Sequence, residues 1–123
     1  MNRFPRPARI GLLALALLLG SGVAFAVQRN VAAEQLEFGV KVALKGSWNE
    51  AAFRFEKAVQ ADPSNPRAWC NLAVSRESLG QFDQAREAYE KALALPHHDD
   101  RIRENYERFE SYMKSARRVS GAP

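Results

Sequence analysis

Between Leu36 and Leu95 the apolar positions recur at helical spacing, and the pattern occurs twice. In the later copy Trp69, Leu72, Ala73 and Leu79 lie on one stripe. Gly80 interrupts the run, and Phe82, Ala85, Tyr89, Ala92 and Leu93 form a second stripe. Small residues alternate with large ones, which predicts a helix, a tight turn and a returning helix. Shifting the chain by 34 residues superimposes Val40 on Val74, Gly46 on Gly80, Ala51 on Ala85, Glu56 on Glu90, Lys57 on Lys91 and Ala58 on Ala92. Similar residues coincide at Phe38 and Leu72, Gly39 and Ala73, Trp48 and Phe82, and Phe55 and Tyr89. A fixed period of this length marks an array of helical hairpins.

The first repeat is expected over residues 32–65 and the second over 66–99. In the first, Ala33, Leu36, Val40 and Leu44 make one stripe, with Phe38 and Val42 beside it. Gly46 stops that helix, because glycine accepts the left-handed conformation at a helix C-terminus. Ser47-Trp48-Asn49-Glu50 reads as a capping box, with the Ser47 hydroxyl and the Glu50 carboxylate each taking a free backbone N–H. The returning helix buries Trp48, Ala51, Ala52, Phe55, Ala58 and Val59 and turns Phe53 outward. Asn65 caps the next helix, with Pro66 at its first position. A final helix follows over residues 100–118, with the stripe Ile102, Tyr106, Phe109 and Met113. It covers the last repeat, and residues 119–123 are read as a disordered tail.

The N-terminus has a different pattern. Arg3, Arg6 and Arg9 precede an apolar run from Ile10 to Leu19, broken by Gly20-Ser21-Gly22 and followed by Ala24-Phe25-Ala26. Positive start, apolar middle and small-x-small end are the layout of a secretory signal peptide over residues 1–26, cut after Ala26. The alternative is an uncleaved anchor helix, since Ile10 to Val27 carries Ser21 as its one polar residue and about 20 apolar residues span a bilayer. Both place the repeats outside the cytoplasm, periplasmic or secreted after cleavage, or held at the inner membrane.

Charge changes little in this picture. The chain has 18 Lys and Arg against 14 Asp and Glu, a formal net of +4. Three of the basic residues are Arg3, Arg6 and Arg9, so the rest of the chain is nearly balanced. No basic stripe with interleaved aromatics appears, and nucleic acid is not expected as a partner. Neither a Ser/His/Asp set, nor a phosphate loop, nor a His-Glu metal motif is present, so the chain is read as non-catalytic and without a cofactor. His97-His98-Asp99-Asp100 invites a metal reading, but adjacent side chains diverge. The segment is read as a polar loop in which Asp99 or Asp100 caps the final helix. Cys70 is the one cysteine. It has no partner for an internal disulfide, which leaves burial as a small hydrophobe or pairing with another molecule.

Trp69, Leu72, Ala73, Gly80, Phe82, Ala85, Tyr89, Ala92 and Pro96 resemble the tetratricopeptide repeat pattern. Phe38, Gly39, Gly46, Trp48, Ala51, Phe55, Ala58 and Pro63 resemble it less completely. Gln35 stands in place of the expected tryptophan, and Val42 and Arg76 in place of the late tyrosines. The resemblance implies an all-α, right-handed solenoid of two helix-turn-helix repeats with a terminal capping helix. It also implies a binding scaffold rather than an enzyme, whose first helices line a concave groove for a peptide or partner helix. The corresponding groove positions here are Leu36, Val40, Arg67, Cys70, Asn71, Val74 and Arg101. One subfamily clamps a chain-terminal carboxylate with five polar residues. Asn71 and Arg101 match two of them, whereas Leu36, Val40 and Asn105 occupy the others, so that mode is not expected. An apolar anchor with an acidic neighbour near Arg67 and Arg101 fits better. Three repeats are the usual minimum, so self-association through the Ala33/Leu36/Val40 face or Phe53 is a second expectation.

Overall fold

The structure is a computed structural model that describes the backbone of residues 10–121 and the side chains of residues 22–121. Five helices and no strand occur among the described residues: α1 Ile10–Leu44, α2 Trp48–Ala61, α3 Pro66–Ser78, α4 Phe82–Ala94 and α5 Asp100–Ser120. α1 with α2 and α3 with α4 form two helical hairpins. α2 packs on α3, α5 packs on α4 and α3, and α1 touches α3.

The 34-residue offset holds at the level of single hydrogen bonds. In the first turn Gly46 N–H donates to Ala43 O (2.9 Å) and Ser47 N–H to Val42 O (3.0 Å). In the second, Gly80 N–H donates to Glu77 O (3.0 Å) and Gln81 N–H to Arg76 O (2.9 Å). Gly46 has φ 76° and Gly80 φ 72°, so both helices end on a left-handed glycine that lets the last carbonyls be satisfied. The cores correspond as well: Ala51 with Ala85, Phe55 with Tyr89, and Ala58 with Ala92 are all buried.

Several details depart from the expectation. The inward face of α1 is not the Ala33/Leu36/Val40/Leu44 stripe. Ala32 and Gly39 are the buried positions, Leu36 and Val40 are half-buried, and Ala33 and Leu44 are exposed, Leu44 to 84%. The cause is Gly39. A Cβ there would lie 2.5 Å from Phe55 Cε1 and 2.7 Å from Cδ1, so the missing side chain lets the Phe55 ring press onto the α1 backbone. Gly39 thus faces α2, with Leu36 and Val40 beside it packed against the core while the two ends of the expected stripe, Ala33 and Leu44, stay exposed. Phe38 is 43% exposed although its counterpart Leu72 is buried. The Arg54 guanidinium lies over its ring at 4.4 Å, a cation–π contact. Phe53 is exposed, as the pattern predicts.

Ser47 occupies the N-cap of α2 but makes no side-chain cap hydrogen bond. Glu50 is drawn away as well, accepting from Arg54 Nε at 2.7 Å. Asn65, by contrast, accepts from Arg67 N–H at 3.0 Å, with Pro66 opening the helix. Asn65→Ala should therefore cost about 1 kcal/mol of stability. Ser47→Ala should cost measurably less, and paired denaturant titrations compare the two.

α1 has no break at Gly20-Ser21-Gly22, and the helix of the first repeat continues back to Ile10. The charged start at Arg3, Arg6 and Arg9 and the apolar side chains from Ile10 to Leu19 lie outside the described residues. Among the described residues no helix is long and apolar enough to cross a membrane. At the other end α5 runs through Val119 and Ser120, beyond the expected residue 118, and stops at left-handed Gly121. Ala122 and Pro123 lie outside the described residues.

α5 is held by an aromatic cluster. The Phe109 ring lies 5.5 Å from Tyr89, 6.4 Å from Phe82 and 6.5 Å from Tyr106, and both Phe109 and Tyr89 are fully buried. Arg86 of α4 donates to Glu110 of α5 at 2.8 Å beside it. The Tyr89 hydroxyl donates to Glu77 Oε2 at 2.9 Å, tying α4 to α3. Burial, with the Glu77 carboxylate next to it, pushes the phenol well above its usual range, so Tyr89 stays neutral.

Candidate functional site

The first helices α1, α3 and α5 lie side by side, α3 in the middle. Every residue the sequence nominates for the groove lies on one of these three helices. Leu36 and Val40 of α1 are half-buried against the core with part of each side chain open. On α3, Asn71 and Val74 are half-buried and Arg67 is exposed. Arg101 stands at the start of α5, its side chain 82% exposed.

Cys70 differs from the others. It is 5% exposed and packs as a small hydrophobe, so it forms the floor of the site rather than a contact surface. Asn105 Nδ2 of α5 donates to its Sγ at 3.6 Å. Burial pushes the thiol above its ordinary range. The Asn105 hydrogen bond and the Arg108 and Arg101 charges oppose that shift, while Asp99 reinforces it. A small cavity of about 160 Å³ opens above, between Arg67, Arg101, Asn105 and Asp99.

Arg108 is a site residue that sequence reasoning missed. Its Nη1 donates to Asn105 Oδ1 at 3.1 Å, so Arg108, Asn105 and Cys70 form a chain across the α5–α3 seam. The signal was present in the spacing, since Arg101, Asn105 and Arg108 stand at i, i+4 and i+7 and share one helical face.

Two other conspicuous features are structural. Trp69 donates its indole N–H to Pro63 O at 2.8 Å and carries Lys91 over its ring at 4.7 Å, which pins the link between the hairpins. In the His-Asp loop, His97 has φ 62° and His98 Nδ1–H donates to Leu95 O at 2.7 Å. Asp99 accepts from Ile102 N–H at 3.2 Å as the cap of α5. Burial works against its ionised form, but hydrogen bonds from Arg101 and Ile102 outweigh that and hold its carboxyl below the usual range. Among the described residues no group of three or more His, Cys, Asp or Glu is placed to hold a metal ion.

A chain of antiparallel helical hairpins repeating every 34 residues, with left-handed glycines at equivalent turns, is a helical-repeat protein. The tetratricopeptide repeat pattern matches residues 66–95. The chain is also similar to an uncharacterized protein of Methanocaldococcus jannaschii, 37% identical over 60 residues that cover 49% of this chain and 70% of that protein. The chain belongs to the tetratricopeptide repeat family. Such repeats mediate protein–protein interaction, and the family is typically a non-catalytic interaction module.

Proposed function

We propose that this chain is a non-catalytic protein-binding module acting outside the cytoplasm, taking a peptide or partner helix along α1, α3 and α5. What supports this is that Leu36, Val40, Asn71 and Val74 are half-buried and Arg67 and Arg101 are exposed on the adjoining helices α1, α3 and α5. Half-buried aliphatic side chains on adjoining helices can shed water onto an apolar anchor. The flanking polar groups can satisfy a partner's backbone. In this reading the two hairpins and α5 are a short right-handed solenoid with α5 as its cap.

Export rests on the N-terminal layout of arginines, apolar run and Ala24-Phe25-Ala26. A second reading keeps the N-terminal helix uncleaved and makes the chain a self-associating, membrane-held scaffold subunit. The length of α1 favours it: 35 residues extend about 52 Å, against about 21 Å for α2. The overhang of about 30 Å matches the thickness of a bilayer's hydrocarbon core. Its described part exposes Val23, Phe25 and Val27.

One experiment addresses both. A photo-crosslinking residue is placed at Asn71 of the full chain in living cells, and the adducts are analysed by mass. The groove reading expects an adduct with a protein of the exported compartment that disappears in Leu36→Asp and Val74→Asp. Adducts indifferent to both changes would remove the groove assignment. The mass of the chain in the adduct reports whether residues 1–26 have been lost. An adduct made only with a second copy of this chain would favour the scaffold reading.

A further inference from the structure

The three stripes of the strip are not chemically alike. α1 presents Leu36 and Val40, and their neighbours in sequence, Glu37 and Lys41, pair with one another at 2.8 Å. α3 is mixed, with Val74 and Asn71 along it and Arg67 at its start. α5 presents Arg101, Asn105 and Arg108, turned toward α3 by the contact of Asn105 with Cys70. The surface therefore grades from aliphatic at α1 to cationic at α5.

The cationic side has more guanidinium groups than carboxylates: Asp99 is paired with Arg101. Arg101 has Asp99 at 3.2 Å, but that carboxylate also caps α5 through Ile102 N–H. Arg67 and Arg108 meet no carboxylate among the described residues. Arg67 and Arg101 line a cavity of about 160 Å³ with Asn105 and the single carboxylate of Asp99. Arg108, joined to Asn105, adds a further positive charge beside it, so the site keeps a net positive charge that an anionic group entering it offsets. The cavity suits a carboxylate, which a guanidinium binds through two parallel N–H donors.

We infer that the occupant of the groove is an acidic amphipathic peptide segment, with its apolar side on Leu36, Val40 and Val74 and its side-chain carboxylates on Arg67, Arg101 and Arg108. The inference rests on the groove reading and adds the partner's charge and its orientation across the strip. Charge complementarity of this kind selects the partner and speeds the encounter more than it adds affinity.

The test uses the full chain, purified in detergent if the N-terminal segment is retained. The probe is a labelled, C-terminally amidated peptide bearing leucines on one helical face and glutamates on the other. Glutamine and lysine analogues and a free-carboxylate version serve as comparisons. The glutamate peptide is expected to bind about ten-fold more tightly than the glutamine analogue at low salt, with the preference shrinking as salt is raised. Reversing charge with Arg101→Glu and Arg108→Glu together should transfer the preference to the lysine peptide. Arg67→Glu, exposed in the first turn of α3 where an acid is tolerated, is the independent variant should the double one unfold.

Equal binding of the glutamate and glutamine peptides overturns the inference, as does a preference that survives charge reversal. Binding confined to the free-carboxylate peptide, or no binding by any of the peptides, overturns it too. The groove reading fails separately, when peptide binding persists in Leu36→Asp.

Discussion

Gly39→Ala is expected to lower the stability of the chain, although the same exchange inside a helix ordinarily raises it by about 1 kcal/mol. The new Cβ would lie 2.5, 2.7 and 3.0 Å from Cε1, Cδ1 and Cζ of Phe55. Phe55 is 2% exposed and sits between α1 and the small residues of α2, so the ring has no free direction in which to move. Forcing one extra carbon into such a site costs about 1–3 kcal/mol, which outweighs the gain in helix propensity. For a domain of this size each kcal/mol shifts the melting midpoint by about 4–8 °C. Thermal unfolding followed by circular dichroism reads the effect. Coupling to Phe55 is checked by a double-mutant cycle with Phe55→Leu, in which the smaller side chain should recover part of the loss. A midpoint equal to or above the parent's would mean that α1 and α2 separate without cost, and the close approach of Phe55 to Gly39 would carry no stability.

Phe109→Ala is the larger loss. Phe109 is fully buried among three other rings, Phe82 and Tyr89 of α4 and Tyr106 of α5. Removing a buried phenylalanine side chain typically costs about 3–5 kcal/mol, part from lost transfer energy and part from the cavity left behind. The damage should be uneven. Beyond this cluster α5 is attached by Ile102, the Arg86–Glu110 pair and the Asn105–Cys70 contact, so α5 should loosen while the α1–α2 hairpin remains protected. Amide hydrogen exchange resolved by segment distinguishes this from uniform destabilisation. Loss of protection spread evenly over all helices would show that α5 is an integral part of one cooperative unit. Because Arg101, Asn105 and Arg108 ride on α5, the binding proposed for them should also weaken in this variant.

The hairpins were legible because their signals are local and doubled. Gly46 and Gly80 mark the turns through backbone chemistry that few residues other than glycine satisfy, and the 34-residue offset states the same result twice. Asn65-Pro66 and Asp99 mark helix starts for equally local reasons. The candidate site was legible in part. Positions 36, 40, 67, 71, 74 and 101 are half-buried or exposed on the adjoining helices α1, α3 and α5, whereas Cys70 is buried. Arg108 enters only because Asn105 orients the face it shares.

What the sequence determined by itself is the period, the helix-turn-helix unit, the alternation of small and large core residues, and the balance of charge outside the N-terminus. Each of these depends on side-chain volume, backbone freedom or composition within a few residues. Only the tertiary structure decided how each helix is rotated about its own axis. Gly39 against Phe55 makes Gly39 a buried position of α1, while Leu36 and Val40 are only half-buried and Ala33 and Leu44 are exposed. Arg54, reaching Phe38 and Glu50, withdraws Glu50 from the cap expected beside Ser47. A helix carries several plausible apolar stripes, and the one that is buried is chosen by the shape of its neighbour. That information belongs to pairs of residues distant in the chain, and it becomes readable once the helices are packed.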